Sequence, residues 1–455
     1  MPAGKRVGVL GLARTGAACI PFLVARGAEV VALDRGALDE LSPEAREAAA
    51  LAHSVLAPYG PVESLPPLDM LIISPGVPTG APIAEQARAA GAEVIGEVEL
   101  AYRHFDAPMV AVTGTCGKGT TVTTLGALLR AAGVPHVVAG NIGTPLIGAA
   151  EQSSALSVAV VEISSFQLET TVHFRPHVAI LLNITEDHLE RYDSFEHYVE
   201  AKTSIFSNQM PTDWSIFCTD DERVKTLMGC TSAQRLTVSV HDPEANGRLE
   251  GDDLVVQLPG QEAGVVAERG RLPLRGDHHV INTLAAALAA SIWDVRPDGM
   301  AQALRDYVPA PHLMSPVLRH GGVDYIDDSK ATNPASAVAD LSSVRGPVVV
   351  IAGGKEKQTD FEQFGRVLGE RARCVVLMGE CAHGIEQAVG RPELCRHVSS
   401  MAEAVAVARG AALPGDTVIL CPGCSSLDMF DNYAQRGDMF ARAVRAQLRG
   451  SGSRE

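Results

Sequence analysis

A glycine-rich segment between a strand and a helix constrains the fold more than any other part of this sequence. The segment, Gly114-Thr-Cys-Gly-Lys-Gly-Thr120, follows the apolar run Met109–Thr113 and precedes the helical stretch Val122–Ala132. Glycines let backbone N–H groups close around a phosphate, the lysine adds a positive charge, and a threonine hydroxyl can bind Mg²⁺. The pattern therefore predicts a phosphate-binding loop, with an ordinary strand–helix turn as the alternative.

The remainder of the chain predicts an α/β fold with mostly parallel sheets. Apolar strands that end in glycine turns alternate with helical stretches in three segments, which begin at Arg6, Met109 and Pro347. A chain of 455 residues has room for about three domains. Residues 233–275 carry short alternating strands, which predict antiparallel hairpins. The predicted domains are a Rossmann-like domain over 1–107, a central P-loop domain over 108–309 and a Rossmann-like domain over 310–455.

Charge and cysteine content narrow the classes of partner. The chain has 38 Lys+Arg against 54 Asp+Glu, a net charge of −16, which argues against binding nucleic acid or an anionic membrane surface. We expect no membrane span, because no apolar run approaches about 18 residues. Nine scattered cysteines and the lack of a signal peptide predict a reduced, cytoplasmic protein. Cys421 and Cys424 have redox or zinc spacing, but a closed zinc site needs four ligands.

The first strand ends in a second glycine turn. Gly11-Leu-Ala-Arg-Thr-Gly16 is a degenerate dinucleotide-binding pattern, and Asp34 ends the following strand, where a ribose-binding acid would lie. A nucleotide site and a purely structural turn are both compatible with this pattern. A nicotinamide oxidoreductase is disfavoured, because hydride transfer has no use for the phosphate loop one domain later.

Three further motifs are similar to those of one protein family. Glu162-Ile-Ser-Ser-Phe-Gln-Leu-Glu169, Asn183-Ile-Thr-Glu-Asp-His188 and Asp328-Ser-Lys-Ala-Thr-Asn333 are similar to signatures of the Mur ligases, and segments 141–145 and 426–430 extend the match. The family joins a carboxylate to an amine through an acyl phosphate formed with ATP. Within it, the chain most resembles the members that add D-glutamate to UDP-N-acetylmuramoyl-L-alanine in cytoplasmic peptidoglycan precursor synthesis. We expect a monomer.

The resemblance implies a role for individual residues. The catalytic residues would be Lys118, His188, Lys202 and Lys330. ATP would contact Gly114, Thr115, Cys116, Gly117, Lys118, Gly119, Thr120, Asn282 and Asp328. One Mg²⁺ would be bound by Thr120 and Glu162, and a second metal ion by His188 and Lys202. In this family the lysine at the position of Lys202 is carbamylated. An unmodified ammonium has no lone pair with which to bind a metal ion.

The remaining implied residues bind the other two substrates. Those placed at the UDP-substrate are Gly11, Arg14, Thr15, Asp34, Ser74 and Asn141. Those placed at the carboxylates of D-glutamate are Thr332, Lys357, Ser426 and Tyr433. Hydroxyls and a lysine suit a dianionic amino acid, although a hydroxyl such as that of Ser426 is equally suited to a helix cap.

Several positions depart from the family pattern. Cys116 stands in place of asparagine, His279 follows His278 where the pattern has His-Asn, and Leu313-Met314 occupy the place of an arginine directed at ATP. Arg319 or an arginine of another domain is a candidate to replace that arginine. We predict an active ligase, and three alternatives remain: a relative that adds another amino acid or acts on folate, a nucleotide-binding protein without catalysis, and an oxidoreductase.

Overall fold

The computed structural model describes residues 3–60, 65–188, 191–356 and 360–449. These residues form three sheets of five, nine and six strands, and most neighbouring strands are parallel. The predicted α/β fold with mostly parallel sheets is confirmed. Each predicted domain, 1–107, 108–309 and 310–455, contains one sheet, and the bounds of the domains stay a prediction.

The first sheet is entirely parallel, with strand order β3-β2-β1-β4-β5. Its central strands consist mainly of buried valine, leucine and isoleucine, as expected where helices cover both faces. The order reverses between β1 and β4, and ligands of such sheets bind at this point, beyond the carboxyl ends of the strands. The elements are β1 (Arg6–Leu10), α1 (Arg14–Ala25), β2 (Glu29–Leu33), α2 (Pro43–Ala49), β3 (Ser54–Leu56), β4 (Met70–Ile73), α3 (Pro82–Ala89), β5 (Glu93–Gly96) and α4 (Glu97–Tyr102).

In the second sheet, the strand that precedes the phosphate loop is the third of nine strands from one edge. The sheet contains β6 (Met109–Thr113), β7 (His136–Gly140), β8 (Val158–Glu162), β9 (Val178–Leu181), β10 (Trp214–Cys218), β11 (Gln234–Ser239), β12 (Gly247–Glu250), β13 (Asp253–Val256) and β14 (Gly264–Glu268). Its order is β14-β13-β12-β11-β10-β9-β6-β8-β7. The helices are α5 (Lys118–Ala131), α6 (Ser165–Leu168), α7 (Phe195–Thr203), α8 (Glu222–Thr226), α9 (Asp277–Ser291) and α10 (Pro297–Asp306).

The prediction of antiparallel hairpins over residues 233–275 is only partly right. β12 and β13 do form an antiparallel hairpin, but β11 pairs parallel with both β10 and β12. The chain crosses over through α8 between β10 and β11, and a crossover of this kind returns the next strand in the same direction.

The third sheet has strand order β15-β16-β20-β17-β18-β19. Only the edge pair β15–β16 is antiparallel. The strands are β15 (Ser315–His320), β16 (Val323–Asp327), β17 (Val348–Ala352), β18 (Ala372–Leu377), β19 (Cys395–His397) and β20 (Thr417–Leu420). The helices are α11 (Pro334–Ser343), α12 (Glu362–Arg371), α13 (Ala382–Val389), α14 (Met401–Ala411) and α15 (Tyr433–Arg449).

The chain divides into two compact units. The first contains residues 1–184, 191–266 and 282–303, and one cluster of buried apolar residues joins the first two sheets within it. The second contains residues 185–190, 267–281 and 304–455, with the third sheet. In the described part of the chain, no helix is long and apolar enough to cross a membrane.

Candidate active site

The phosphate loop lies between β6 and α5, as predicted. Gly117 precedes the helix with a φ of 85°, in the left-handed region that favours glycine. A Cβ at Gly117 would collide with the side-chain amide of Asn282, so the structure brings this predicted ATP residue against the loop. The first N–H groups of α5 and the positive end of its dipole suit an anion at this point.

The side chain of Lys118 folds back toward the start of the phosphate loop. Its ammonium donates to the carbonyl oxygens of Gly114 at 2.7 Å and Thr115 at 2.8 Å. Lys202 donates to the same Gly114 oxygen at 2.9 Å, although it is only 2% exposed. The structure therefore brings two of the predicted catalytic lysines to one carbonyl group of the loop.

Two residues that the sequence prediction left without a role support this loop. Asn183 accepts from the Cys116 N–H at 2.8 Å and donates to the Cys116 carbonyl at 3.1 Å. The Tyr198 hydroxyl lies 3.1 Å from the Thr115 hydroxyl, and its ring lies 4.5 Å from the Lys202 ammonium. Asn183 opens one of the family motifs, so its position was visible in the sequence. For Tyr198, the only indication in the sequence was its position one helical turn before Lys202.

Glu162 ends β8, the strand beside β6, and pairs in register with Val112. Its carboxylate is 7% exposed and accepts a hydrogen bond of 2.8 Å from the Asn141 amide. Among the described residues Glu162 has no ion-pair partner, and a buried carboxylate without a cation is costly. Thr120, which is also buried, lies in the first turn of α5. Hydroxyl and carboxylate oxygens are the ligands that Mg²⁺ prefers, so this pair fits that ion.

His188 belongs to the short segment 185–190 of the second unit. Its φ is 58°, a left-handed backbone, and its Nε2 lies 3.8 Å from a carboxylate oxygen of Asp187. Asp187 also accepts from the Asn333 amide at 3.1 Å.

The predicted UDP-substrate residues of the first sheet meet where its strand order reverses. The Ser74 hydroxyl donates to the Gly11 carbonyl at 2.7 Å. Asp34 accepts from the Leu12 N–H at 2.7 Å and the Gly36 N–H at 2.9 Å, so its carboxylate orders the turn in addition to any contact with a ribose. The half-buried Thr15 lies in the first turn of α1.

Two arginines connect the first two sheets. Arg14 donates to the carbonyl oxygens of Gly143 at 3.0 Å and Asn141 at 3.1 Å, which places the predicted Asn141 loop beside the start of α1. Arg191 donates to the Pro75 carbonyl at 2.9 Å and to the Glu169 carboxylate at 3.1 Å. Arg191 was missed because its partners are distant in the sequence and form no pattern around it.

In the second unit, Lys330 and Tyr433 lie together. The Lys330 ammonium is 5.0 Å from the centre of the Tyr433 ring, which begins α15. Ser426 is buried and its carbonyl accepts from Phe430 N–H at 2.9 Å, while Thr332 is half-buried in the loop that follows Lys330. Lys357, the remaining predicted D-glutamate residue, lies outside the described residues.

A buried arginine joins the two loops that carry these residues. Arg436 on α15 is 1% exposed and donates to the hydroxyl and carbonyl of Ser329, both at 2.9 Å, and to the Cys424 carbonyl at 3.0 Å. Burial lowers the pKa of Arg436 to about 10, so it stays charged at neutral pH. Arg319, the candidate to replace the missing ATP arginine, lies exposed on the edge strand β15, 3.6 Å from Asp324, and its role stays a prediction.

Asp328 is completely enclosed. Its carboxyl accepts from the Met314 N–H at 3.0 Å and from the Cys421 thiol at 3.5 Å. Burial and the neighbouring Asp340 carboxylate raise the pKa of Asp328 well above its usual range. Burial likewise raises the pKa of the Cys421 thiol, and Cys424 is also a buried free thiol.

Comparison with known proteins identifies this arrangement. Three family models match in chain order: the N-terminal domain of MurD-like Mur ligases over residues 5–96, the Mur ligase middle domain over 112–290 and the glutamate ligase domain over 314–424. The chain is 38% identical to the UDP-N-acetylmuramoylalanine–D-glutamate ligase of Symbiobacterium thermophilum over 97% of this chain and 98% of that protein. The chain belongs to the Mur ligase family.

Two further comparisons concern the sequence and the fold of this Mur ligase. The corresponding D-glutamate ligase of Pelotomaculum thermopropionicum is 38% identical over 98% of each chain. The MurF ligase of Thermotoga maritima, solved in complex with ADP, shares the fold with a TM-score of 0.61 at 14% identity, covering 99% of this chain and 96% of that one.

Proposed function

We propose that this Mur ligase adds D-glutamate to UDP-N-acetylmuramoyl-L-alanine in peptidoglycan precursor synthesis, with conversion of ATP to ADP and phosphate. The observation that carries the proposal is the full-length similarity to D-glutamate ligases, together with a phosphate loop whose Gly114 carbonyl accepts from both Lys118 and Lys202. We propose further that the enzyme acts in the cytoplasm as a monomer.

Formation of the acyl phosphate brings two anions together, so charge neutralisation and alignment are the main requirements. The N–H groups of the loop and the Lys118 ammonium would neutralise the terminal phosphates of ATP. Lys118 contacts carbonyl oxygens of its own loop, and a phosphate would offer it a stronger, charged acceptor. Asn282, which packs against Gly117, lies where it can bind the nucleotide beyond the phosphates.

Thr120 and Glu162 would hold Mg²⁺, and the ion would supply positive charge for the transfer of the phosphoryl group. Asn141 donates to Glu162 and would fix the direction of its carboxylate. We propose that Lys202 becomes carbamylated and acts with His188 toward a second Mg²⁺. Its position against Gly114 and Tyr198 places this amine beside the loop before any modification.

The amino-acid substrate is a dianion. The residues proposed to bind it are Thr332, Lys357, Ser426 and Tyr433. Lys330 would lie beside the reacting phosphate, and the hydroxyls would donate hydrogen bonds to the carboxylates of D-glutamate. Arg436 contacts no substrate in this scheme, but it fixes the loops before Lys330 and Ser426 relative to each other.

A substrate-panel assay tests the proposal. Phosphate release is measured with ATP, Mg²⁺, bicarbonate and UDP-N-acetylmuramoyl-L-alanine, with one amino acid at a time. Release with D-glutamate, and none with L-glutamate, meso-diaminopimelate or a folate acceptor, is expected. Equal rates with L-glutamate would contradict the stereochemical assignment. Binding of both nucleotides without any release would instead support a protein that has lost catalysis.

A further inference from the structure

A buried cluster of two imidazoles and a carboxylate lies outside the residues assigned above. His278 and His279, in the first turn of α9, contact one oxygen of Asp340 on α11, with Nε2–Oδ1 distances of 3.0 and 3.1 Å. All three residues belong to the second unit. The side chains of His279 and Asp340 are 3% and 5% exposed, and that of His278 is 30% exposed, so solvent reaches the cluster from one side.

The side chains of this cluster and its surroundings are of the kinds that bind metal ions. The described ion pairs of Asp340 are those with the two histidines, a residue type that commonly binds metal ions. Asp328 adds a second buried carboxyl beside Asp340, and the Cys421 thiol lies 3.5 Å from the Asp328 carboxyl. Five side chains with the chemistry of metal ligands are therefore gathered in one buried region.

The geometry matches a small tetrahedral ion. With bonds of about 2.0–2.1 Å to histidine nitrogen and carboxylate oxygen, tetrahedral ligands lie about 3.3 Å apart. The two nitrogen–oxygen distances are 3.0 and 3.1 Å, and all three ligand atoms lie within 4.8 Å of one another. Imidazole and carboxylate ligands suit Zn²⁺, and three protein ligands leave the fourth position to water.

We propose that His278, His279 and Asp340 bind a divalent transition-metal ion of the zinc class, which cross-links the start of α9 to α11. The ligands of this site differ from those of the proposed Mg²⁺ site, where Thr120 and Glu162 offer only oxygen. It also depends on His279, which stands where the resembled pattern has asparagine. The site therefore adds to the proposed ligase activity without depending on it.

A second group of similar composition provides a matched control. His383 and His397 lie 3.3 and 3.0 Å from one oxygen of Glu386. These side chains are far more exposed, at 86% for His383 and 43% for His397, and water competes there for both ligands and ion. The described residues contain two groups of three histidine, cysteine or acidic side chains whose ligand atoms lie within 4.8 Å of one another, and these are the buried cluster and this exposed group.

The test uses the full-length protein, stripped of metal with a chelator and free of nucleotide and Mg²⁺. Zn²⁺ alone and Co²⁺ alone are titrated, with bound metal measured by mass spectrometry and Co²⁺ coordination by visible absorption. The variants are His278→Gln and Asp340→Asn, with Glu386→Gln and Glu162→Gln as controls. We expect the two cluster variants to bind this ion at least about 100-fold more weakly and to lose the four-coordinate Co²⁺ spectrum, because each removes a ligand. Both controls should keep that spectrum.

Three results would overturn the site. The first is wild-type protein that binds neither ion, and the second is an unchanged Co²⁺ spectrum in His278→Gln. The third is loss of the spectrum in Glu386→Gln or Glu162→Gln, which would assign the ion to the exposed cluster or to the Mg²⁺ site. His278 is partly exposed, so its substitution tests the proposal even if Asp340→Asn fails to fold.

Discussion

The guanidinium of Arg436 donates to the Ser329 hydroxyl at 2.9 Å across 107 residues of sequence. Ser329 directly precedes Lys330, and the Cys424 carbonyl that Arg436 also binds lies two residues before Ser426. A buried guanidinium is costly unless its donors are matched, and here Nε and both terminal nitrogens have acceptors. The two loops proposed to bind the amino acid are therefore positioned by one side chain.

Arg436→Lys tests this positioning role. Lysine has a single nitrogen and cannot reproduce the planar fork, so at least one hydrogen bond to a charged donor is lost, worth about 1.5–3 kcal/mol. We expect the KM for D-glutamate to rise by about 10-fold, since 1.4 kcal/mol is a factor of ten, while the KM for ATP changes little. Steady-state kinetics on both substrates measure the split.

The matched control is Arg442→Lys, on the exposed side of the same helix, which should leave both KM values unchanged. An equal rise in the KM values for D-glutamate and ATP would show that Arg436 merely stabilises the fold.

Lys118→Ala should lower turnover by about 100- to 1,000-fold, because it removes a positive charge from the transferred phosphate. Binding of UDP-N-acetylmuramoyl-L-alanine should be unchanged, since its proposed residues lie mainly on the first sheet. Calorimetric titration of that substrate and a phosphate-release assay separate the two effects. Arg130→Ala, an exposed residue of the same helix, should change neither. Loss of UDP-substrate affinity in Lys118→Ala would contradict the domain assignment.

The elements were predictable because a strand of a covered parallel sheet must be a continuous apolar run. β1, β6 and β17 therefore begin or end within one residue of the predicted bounds. The direction of β11 was not predictable from its own alternating pattern, because direction is set by the crossover that precedes it. The phosphate loop was predictable, since its residues are adjacent in the sequence.

The supporting residues of the site were much less predictable. Arg191 bonds to Pro75, 116 residues away, and Arg436 bonds to Ser329, 107 residues away. A single arginine has no spacing that could indicate such partners, and arginine is usually a solvated surface residue. Asp328 illustrates the same difficulty, because its motif was evident but its enclosure beside Cys421 depends on how β20 packs against β16.

Lys202→Ala should lower turnover by about 100-fold, because the proposed carbamate supplies ligand oxygens that alanine lacks. Acetate or formate should restore part of the rate by occupying the space of the missing carbamate. Lys225→Ala, an exposed lysine, gives the matched control with and without acetate. Full activity in Lys202→Arg would show that a positive charge near Gly114 suffices, and carbamylation would then be wrong.

Glu97 gives the first unit a pH-dependent stability. Glu97 is 2% exposed, and its carboxyl accepts from the Ile147 N–H at 2.6 Å. Burial raises the pKa of this carboxyl to about 7. The Ile147 N–H and the positive charge of Arg14 lower the pKa, but they offset only part of the effect of burial. Between the pKa of about 4.3 in the unfolded chain and the higher pKa in the folded protein, Glu97 is protonated in the native state and ionised in the unfolded state. The free energy of unfolding therefore falls as pH rises through this window and levels off above it. Glu97→Gln stays neutral, so its free energy of unfolding relative to wild type should rise by about 2–3 kcal/mol between pH 5 and pH 8. Urea unfolding at both pH values measures this difference, and parallel pH profiles of the two proteins would refute it.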